Sequence, residues 1–142
     1  NNNTSLVSLI KDKGLSNRVH LLGRRNDIPS IMNGIDLFIF SSESEAFPNV
    51  LNEAMACGTP CVSTDVGDAS IILGDTGWIV PSKDSESLYG SIIKAAQEKE
   101  SNHRSWLQRS VECRQRIVQK FSLEKMVKKY KEVWMNVKKH PV

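Results

Sequence analysis

Two glutamates, Glu45 and Glu53, lie eight positions apart around the predicted start of a helix. A short apolar run at residues 35–40 precedes them and is typical of a strand that is buried on both faces. Ligands of parallel α/β sheets bind beyond the carboxyl ends of the strands. We therefore expect Glu53 to accept hydrogen bonds from a vicinal diol such as a ribose, and Glu45 to face a different part of the same ligand.

The helix that carries Glu53 is predicted to begin with Asn49 as its N-cap and to end near Gly58. Apolar residues recur at helical spacing between these limits, at Val50, Leu51, Ala54 and Met55. The first turn of a helix has free backbone N–H groups and the positive end of the helix dipole. An anion is therefore a suitable guest at this position, and a diphosphate suits it best.

Other interpretations of the two glutamates remain open. They could be ordinary surface charges, or the acid and nucleophile of a glycosidase, whose carboxyl groups lie about 5 to 9.5 Å apart. Eight residues of continuous helix would separate them by about 12 Å, although a loop at Glu45 could shorten this distance. A phosphorylated receiver domain requires aspartates at the carboxyl ends of strands, whereas Asp36 lies at the beginning of its predicted strand.

The segment from Glu45 to Pro60 resembles the donor-binding signature of GT-B fold glycosyltransferases, specifically the retaining family 4 group. That signature is a glutamate, seven residues, a second glutamate, then Ala-Met-Ala, a small residue, Gly and Pro, and every fixed position is present. Further similar motifs follow the family's order at residues 19–23, 62–67, 74–81 and 121–130. The resemblance extends from about Leu6 to Trp134.

The resemblance implies a role for each matching residue. Glu53 would bind the ribose hydroxyls of a nucleotide, and Glu45, the catalytic candidate, would contact hydroxyls of the donor sugar. Gly23 and Arg24 lie where the family holds the nucleobase, although a solvated Arg24 is an equal alternative. The backbone that would line the sugar and diphosphate belongs to Phe47, Pro48, Asn49 and Val50. No metal is implied, and the nucleotide sugar, such as a UDP- or GDP-hexose, is a substrate and not a cofactor.

The implied activity is transfer of a hexose, with retention, from a nucleoside diphosphate sugar to a glycan or lipid-linked acceptor, as in polysaccharide or lipopolysaccharide biosynthesis. The resemblance implies an enzyme of two Rossmann-like domains, whereas 142 residues is the size of about one domain. It therefore implies that residues 1–142 are a partial C-terminal domain, inactive alone, whose N-terminal acceptor-binding domain is missing. One departure from the family is Ser70, which stands where a glutamate is usual. A non-catalytic nucleotide-binding or assembly module is the alternative function.

Composition is ordinary for a soluble globular domain, with 39% hydrophobic residues, 25% charged residues and a net charge of +3. No apolar run is long enough to span a bilayer, and the first residues lack the features of a signal peptide. The three cysteines have no metal-ligand spacing. We expect a cytoplasmic protein, with the inner face of the membrane as an optional location, and no nucleic-acid partner.

Alternating strands and helices predict the α/β class: a Rossmann-like parallel sheet with helices on both faces over about residues 4–100, then C-terminal helices over about 101–138. The last helix is amphipathic, with Tyr130 and Trp134 on its apolar face and lysines elsewhere. Packing of that face on a domain is favoured over contact with an anionic membrane. The predicted strands are 19–22, 35–40, 61–64 and 78–80, and the predicted helices are 4–13, 28–33, 49–57, a short turn near 70, 84–100, 104–120 and 123–137.

Overall fold

The structure, a computed structural model, describes residues 3–139; residues 1, 2 and 140–142 of the predicted domain lie outside it. The helices are α1 (Thr4–Asp12), α2 (Ile28–Gly34), α3 (Asn49–Ala56), α4 (Ala69–Leu73), α5 (Ser85–Ser101), α6 (His103–Lys120) and α7 (Leu123–Lys139). The strands are β1 (Phe38–Phe40), β2 (Cys61–Thr64) and β3 (Trp78–Val80), and a 3₁₀ turn (Gly74–Thr76) follows α4.

The three strands form a parallel sheet in the order β1-β2-β3. All four residues of β2 are buried, and successive side chains enter different parts of the core. Cys61 packs among residues of α3, α4 and α6, whereas Val62 packs among residues of α5 and the start of α6. The predicted parallel sheet with helices on both faces is therefore confirmed, as is the helical C-terminal region.

One strand prediction is wrong, and another holds only in part. Residues 19–22 form no strand, and Val19, Leu21 and Leu22 are all exposed. A strand of a sheet requires pairing with a neighbouring strand, and this segment pairs with none in the described part of the chain. Strand β1 is shorter than predicted and only half-buried, because it is an edge strand on which Ile39 stays exposed.

Arg109 of α6 connects several elements of the domain. Its guanidinium donates two hydrogen bonds to the Glu98 carboxylate of α5, at 3.1 and 2.8 Å, and one to the Thr76 carbonyl, at 3.1 Å. The same group lies 4.4 Å from the ring centre of Trp78, which stacks on Trp106. Hydrogen bonding from Arg109 lowers the pKa of Glu98 below its ordinary value. One side chain thus connects α5, α6, β3 and the 3₁₀ turn.

Helix α7 differs from the other long helices because it packs little against the rest of the described chain. Its apolar side chains are all exposed, including Tyr130 at 65% and Trp134 at 73%. None of the described helices combines the length and apolar character that crossing a bilayer demands. The sequence favoured packing of this face on a domain, but the described residues do not cover it.

We predict that Arg109→Ala lowers the free energy of unfolding at pH 7 by about 2 kcal/mol, because it leaves the half-buried Glu98 carboxylate without its cation. The pKa of Glu98 is lowered in the folded state, so its contribution is complete above about pH 4.3, the ordinary glutamate value, and is lost as the pH falls through the lower folded value. The difference between wild type and variant should therefore narrow in acid.

Urea unfolding at a series of pH values measures this difference. Arg104→Ala, an exposed arginine on the same helix, is the matched control and should leave the free energy of unfolding nearly unchanged. A difference that stays constant down to about pH 2, below the ordinary range of glutamate, would contradict the assignment to the Glu98 pair.

Candidate ligand-binding site

Residues 41–48, which we call the β1–α3 loop, connect the carboxyl end of β1 to α3. Glu45 and Phe47 are exposed on this loop, and Pro48 is buried. The predicted N-cap is wrong by one position, because Asn49 is the first residue of α3 and Pro48 is the cap. Proline has no side-chain group that can bond to the helix, so no side chain caps α3. Its first turn retains N–H groups that a ligand could use.

The faces of α3 are clearly divided. Leu51, Ala54 and Met55 are fully buried, as the helical spacing predicts. Asn49 and Glu53, one turn apart, share the exposed face, with Glu53 about 6 Å along the helix axis from its first residue. Gly58, with a φ of +81°, ends the helix by adopting a left-handed conformation. Glu53 therefore lies beside the uncapped end of the helix, and Glu45 lies on the loop that enters it.

The β1–α3 loop is held by the segments that follow β2 and β3. The Thr64 hydroxyl donates to the Ser42 carbonyl at 2.7 Å. The Ser82 hydroxyl donates to the Glu43 carbonyl at 3.4 Å, and the backbone N–H of Asp68 donates to the Ala46 carbonyl at 3.0 Å. The backbone of the loop is therefore fixed while the carboxylate of Glu45 stays exposed.

Two cavities lie beside the loop. One, of about 400 Å³, is lined by Ser41, Glu43, Thr64, Lys83, Asp84, Ser85 and Leu88. There Lys83, whose φ is +64°, lies 3.6 Å from the Glu43 carboxylate. The other, of about 340 Å³, is lined by Phe47, Asn49 and Asn52 together with residues 120–122, 125, 126 and 129. Within the described chain, the buried Oδ1 atom of Asn52 has no hydrogen-bond partner, so it could accept a bond from a ligand.

Gly23 and Arg24 lie before α2, in a stretch that forms no strand. Gly23 has a φ of +67°, and Arg24 is exposed. The neighbouring Arg25 is engaged by Asp27, with bonds of 2.8 and 2.6 Å that lower the pKa of the aspartate. Across residues 3–139, no hydrogen bond or ion pair ties Gly23 or Arg24 to the loop or to α3. Their assignment to a nucleobase stays a prediction.

The cysteines and acidic residues of the described chain are not grouped as a metal site. In the described chain, no three His, Cys, Asp or Glu side chains are grouped as metal ligands. Cys61 and Cys113 are buried, and burial raises the pKa of both thiols. Raised thiol pKa values disfavour the thiolate, which is the reactive form. These two cysteines are therefore small core residues.

The sequence analysis missed the residues that hold the loop, namely Thr64, Ser82 and Asp68, and it missed Asn52. For Thr64 and Ser82 the available signal was a hydroxyl at or just beyond the carboxyl end of a strand. Gly67 ends one of the motifs similar to the family's, at residues 62–67, but its contact with the loop required the tertiary structure.

Comparison with known proteins places these features in context. A family model described as "Glycosyl transferases group 1" matches residues 1–98. The chain is 31% identical over 135 residues to N-acetyl-alpha-D-glucosaminyl L-malate synthase of Bacillus anthracis, covering 94% of this chain and 34% of that protein. It is 29% identical to UDP-Gal:alpha-D-GlcNAc-diphosphoundecaprenol alpha-1,3-galactosyltransferase of Escherichia coli, covering 89% of this chain and 32% of that protein.

Among solved structures, the chain superposes on Anabaena HepE in complex with UDP with a TM-score of 0.84 and 26% identity, covering 94% of this chain and 36% of that one. The same Anabaena protein has also been solved with UDP-glucose. The chain thus spans about a third of the length of these relatives.

Proposed function

Because the chain belongs to the group 1 glycosyl transferases, we propose that it binds the donor in an enzyme that transfers a hexose, with retention, from a nucleoside diphosphate sugar to a glycan or lipid-linked acceptor. Its architecture is that of the Rossmann-like C-terminal domain of the GT-B fold. The chain covers about a third of its relatives, so acceptor recognition is assigned to the remaining length of such an enzyme. On this proposal the chain is inactive alone.

The observation that carries the proposal is the uncapped N-terminus of α3 between two exposed glutamates. A diphosphate at this end would receive N–H bonds from the first turn and the favourable field of the helix dipole. Glu53, one turn inside the helix, would accept hydrogen bonds from the ribose hydroxyls. Glu45, on the loop, would accept hydrogen bonds from the hydroxyls of the donor sugar.

This arrangement can lower the barrier to transfer. As the bond between the anomeric carbon and the diphosphate oxygen breaks, negative charge grows on the diphosphate and positive charge on the sugar. The N–H groups and the dipole of α3 would stabilise the negative charge, and Glu45 would hold the sugar as positive charge develops. Both effects act most strongly in the transition state. The proposal requires no metal ion.

The known relatives support a choice of donor and acceptor. The Anabaena protein with 26% identity has been solved with UDP and with UDP-glucose, which favours a uridine nucleotide over a guanosine nucleotide. The relative from Escherichia coli acts on a sugar linked to diphosphoundecaprenol, which favours a lipid-linked acceptor. The lipid of such an acceptor lies in a membrane, so we propose that transfer takes place at the inner face of a membrane.

We predict that Glu53→Gln weakens UDP binding by about ten- to a hundredfold, the range for lost hydrogen bonds to a charged group. Isothermal titration of the protein with UDP, GDP and UDP-glucose measures the effect. Glu100→Gln, an exposed glutamate on α5, is the control and should bind UDP as the wild type does. Equal losses of UDP affinity in both variants would contradict the ribose role of Glu53. Binding of GDP without binding of UDP would reverse the choice of nucleotide.

We predict that Glu45→Gln leaves UDP affinity unchanged but lowers UDP-glucose affinity by about tenfold, because only the sugar hydroxyls lose a charged acceptor. The same titration with both ligands measures the ratio. Glu43→Gln is the matched control, since Glu43 lies on the same loop and pairs only loosely with Lys83. A loss of UDP affinity in Glu45→Gln would instead place this carboxylate beside the nucleotide.

A non-catalytic binding or assembly module is the second candidate, and the exposed apolar face of α7 favours it. Such a face needs a partner. A non-catalytic module would dock this face on a separate acceptor domain. For the proposed enzyme we assign the face to its own acceptor-binding domain and not to the membrane, because amphipathic helices of globular proteins usually bury this stripe against protein.

Flotation of the whole protein with vesicles that contain anionic lipid distinguishes these partners. We predict that the whole protein stays with the unbound fraction at physiological salt, because its α7 face is covered by protein. Co-flotation that disappears both in Trp134→Ser and at high salt would identify α7 as a membrane anchor. Leu107→Ser, an exposed apolar residue on α6, controls for a general loss of surface hydrophobicity.

A further inference from the structure

The β1–α3 loop is fixed mainly through its own carbonyl groups. Those of Ser42, Glu43 and Ala46 each accept a hydrogen bond from a residue that lies at or beyond the end of β2 or β3. Thr64 makes the shortest of these bonds and is the most deeply placed donor, with 4% exposure. Its hydroxyl has one proton, and the other acceptor within reach, the Phe40 carbonyl, is farther away at 3.4 Å.

Gly67 supports the same loop because the absence of a side chain lets its backbone lie against the loop. Its φ of +51° lies in the left-handed region, and a Cβ added there would overlap the carbonyl oxygens of Glu45 and Ala46. The next residue, Asp68, donates its N–H to Ala46. The turn after β2 therefore approaches the peptide that follows Glu45 as closely as a backbone without a side chain permits.

We infer that Thr64 and Gly67 are positioning residues for the sugar half of the donor site: they fix the β1–α3 loop and with it the carboxylate of Glu45. This inference rests on the proposed function. Neither residue needs to contact the donor, because both act on the main chain of the loop. Glu45 is exposed and its side chain is free to reach a ligand, so the position of its backbone decides where the carboxylate can go.

Loss of these contacts to the loop should affect only the binding of the donor sugar. The position of Glu53 depends on α3, which is anchored by the fully buried side chains of Leu51, Ala54 and Met55. Those contacts do not involve the Thr64 hydroxyl. Loosening the loop should therefore change how the donor sugar is held while the contribution of the nucleotide stays constant.

The experiment compares Thr64→Val, which keeps nearly the same shape but cannot donate to Ser42, with Thr64→Ser, which restores the hydroxyl. Ser63→Ala is the matched control: Ser63 is the preceding residue of the strand, is fully buried, and donates to the Thr64 carbonyl instead of the loop. Titration of the whole protein with UDP and with UDP-glucose gives the ratio of the two affinities. Hydrogen exchange of the loop amides is measured on the same variants without ligand.

Thr64→Val should reduce the UDP-glucose to UDP affinity ratio by about three- to tenfold, the range for one neutral hydrogen bond, with UDP affinity unchanged. It should also speed exchange in the β1–α3 loop but not in α3. Thr64→Ser should restore both properties, and Ser63→Ala should alter neither. Gly67→Ala should change the ratio further, because its Cβ displaces the loop.

Unchanged loop exchange in Thr64→Val would overturn the inference, as would an equal loss of UDP and UDP-glucose affinity. If the wild type bound neither ligand, the proposed function would fail, and the sugar role assigned to Thr64 and Gly67 would fail with it. Faster loop exchange in Thr64→Val would in that case show only that the loop is held as described, so the two failures remain distinguishable.

Discussion

Strand β2 is the constraint on which the rest of the domain depends. Its four residues are buried, it pairs with both other described strands, and its alternating side chains anchor helices on both faces. A buried parallel strand has little freedom to shift, because a change of register would expose its apolar side chains and unpair its backbone. The residues at its carboxyl end are therefore fixed points. Thr64 and Gly67 transmit that rigidity to the β1–α3 loop, whereas α3 is anchored separately by its own buried side chains.

Two regions of the domain differ in how fully their polar groups are paired. Arg109 combines hydrogen bonds to Glu98 and Thr76 with a contact to Trp78, and these interactions link α5, α6 and β3. At the carboxyl edge of the sheet, α3 starts without a side-chain cap and the two glutamates remain exposed. Unsatisfied N–H groups at a helix end reduce its stability, but they are what an anionic ligand requires. The polar groups around Arg109 are therefore paired within the domain, whereas those at the start of α3 are free to bind a ligand.

Helix α7 extends this contrast to the surface of the domain. Its apolar residues recur at helical spacing, yet in the described chain they are all exposed. Its first turns lie near Phe47 and Asn49, with which Met126 and Lys125 line a common cavity. Whatever covers α7 would therefore also approach the entrance of α3.

The sequence by itself determined the α/β class, the positions of β2 and β3, most helices, and the placement of Glu45 and Glu53 around α3. These features follow from local spacing: helical periodicity, short apolar runs and glycine stops are properties of neighbouring residues. Tertiary structure alone decided that residues 19–22 form no strand and that β1 is an exposed edge, because pairing and burial depend on distant segments. It alone revealed that Thr64, Gly67 and Ser82 hold the β1–α3 loop, since those contacts join residues 21 to 39 positions apart, and sequence spacing carries no signal of such close approaches.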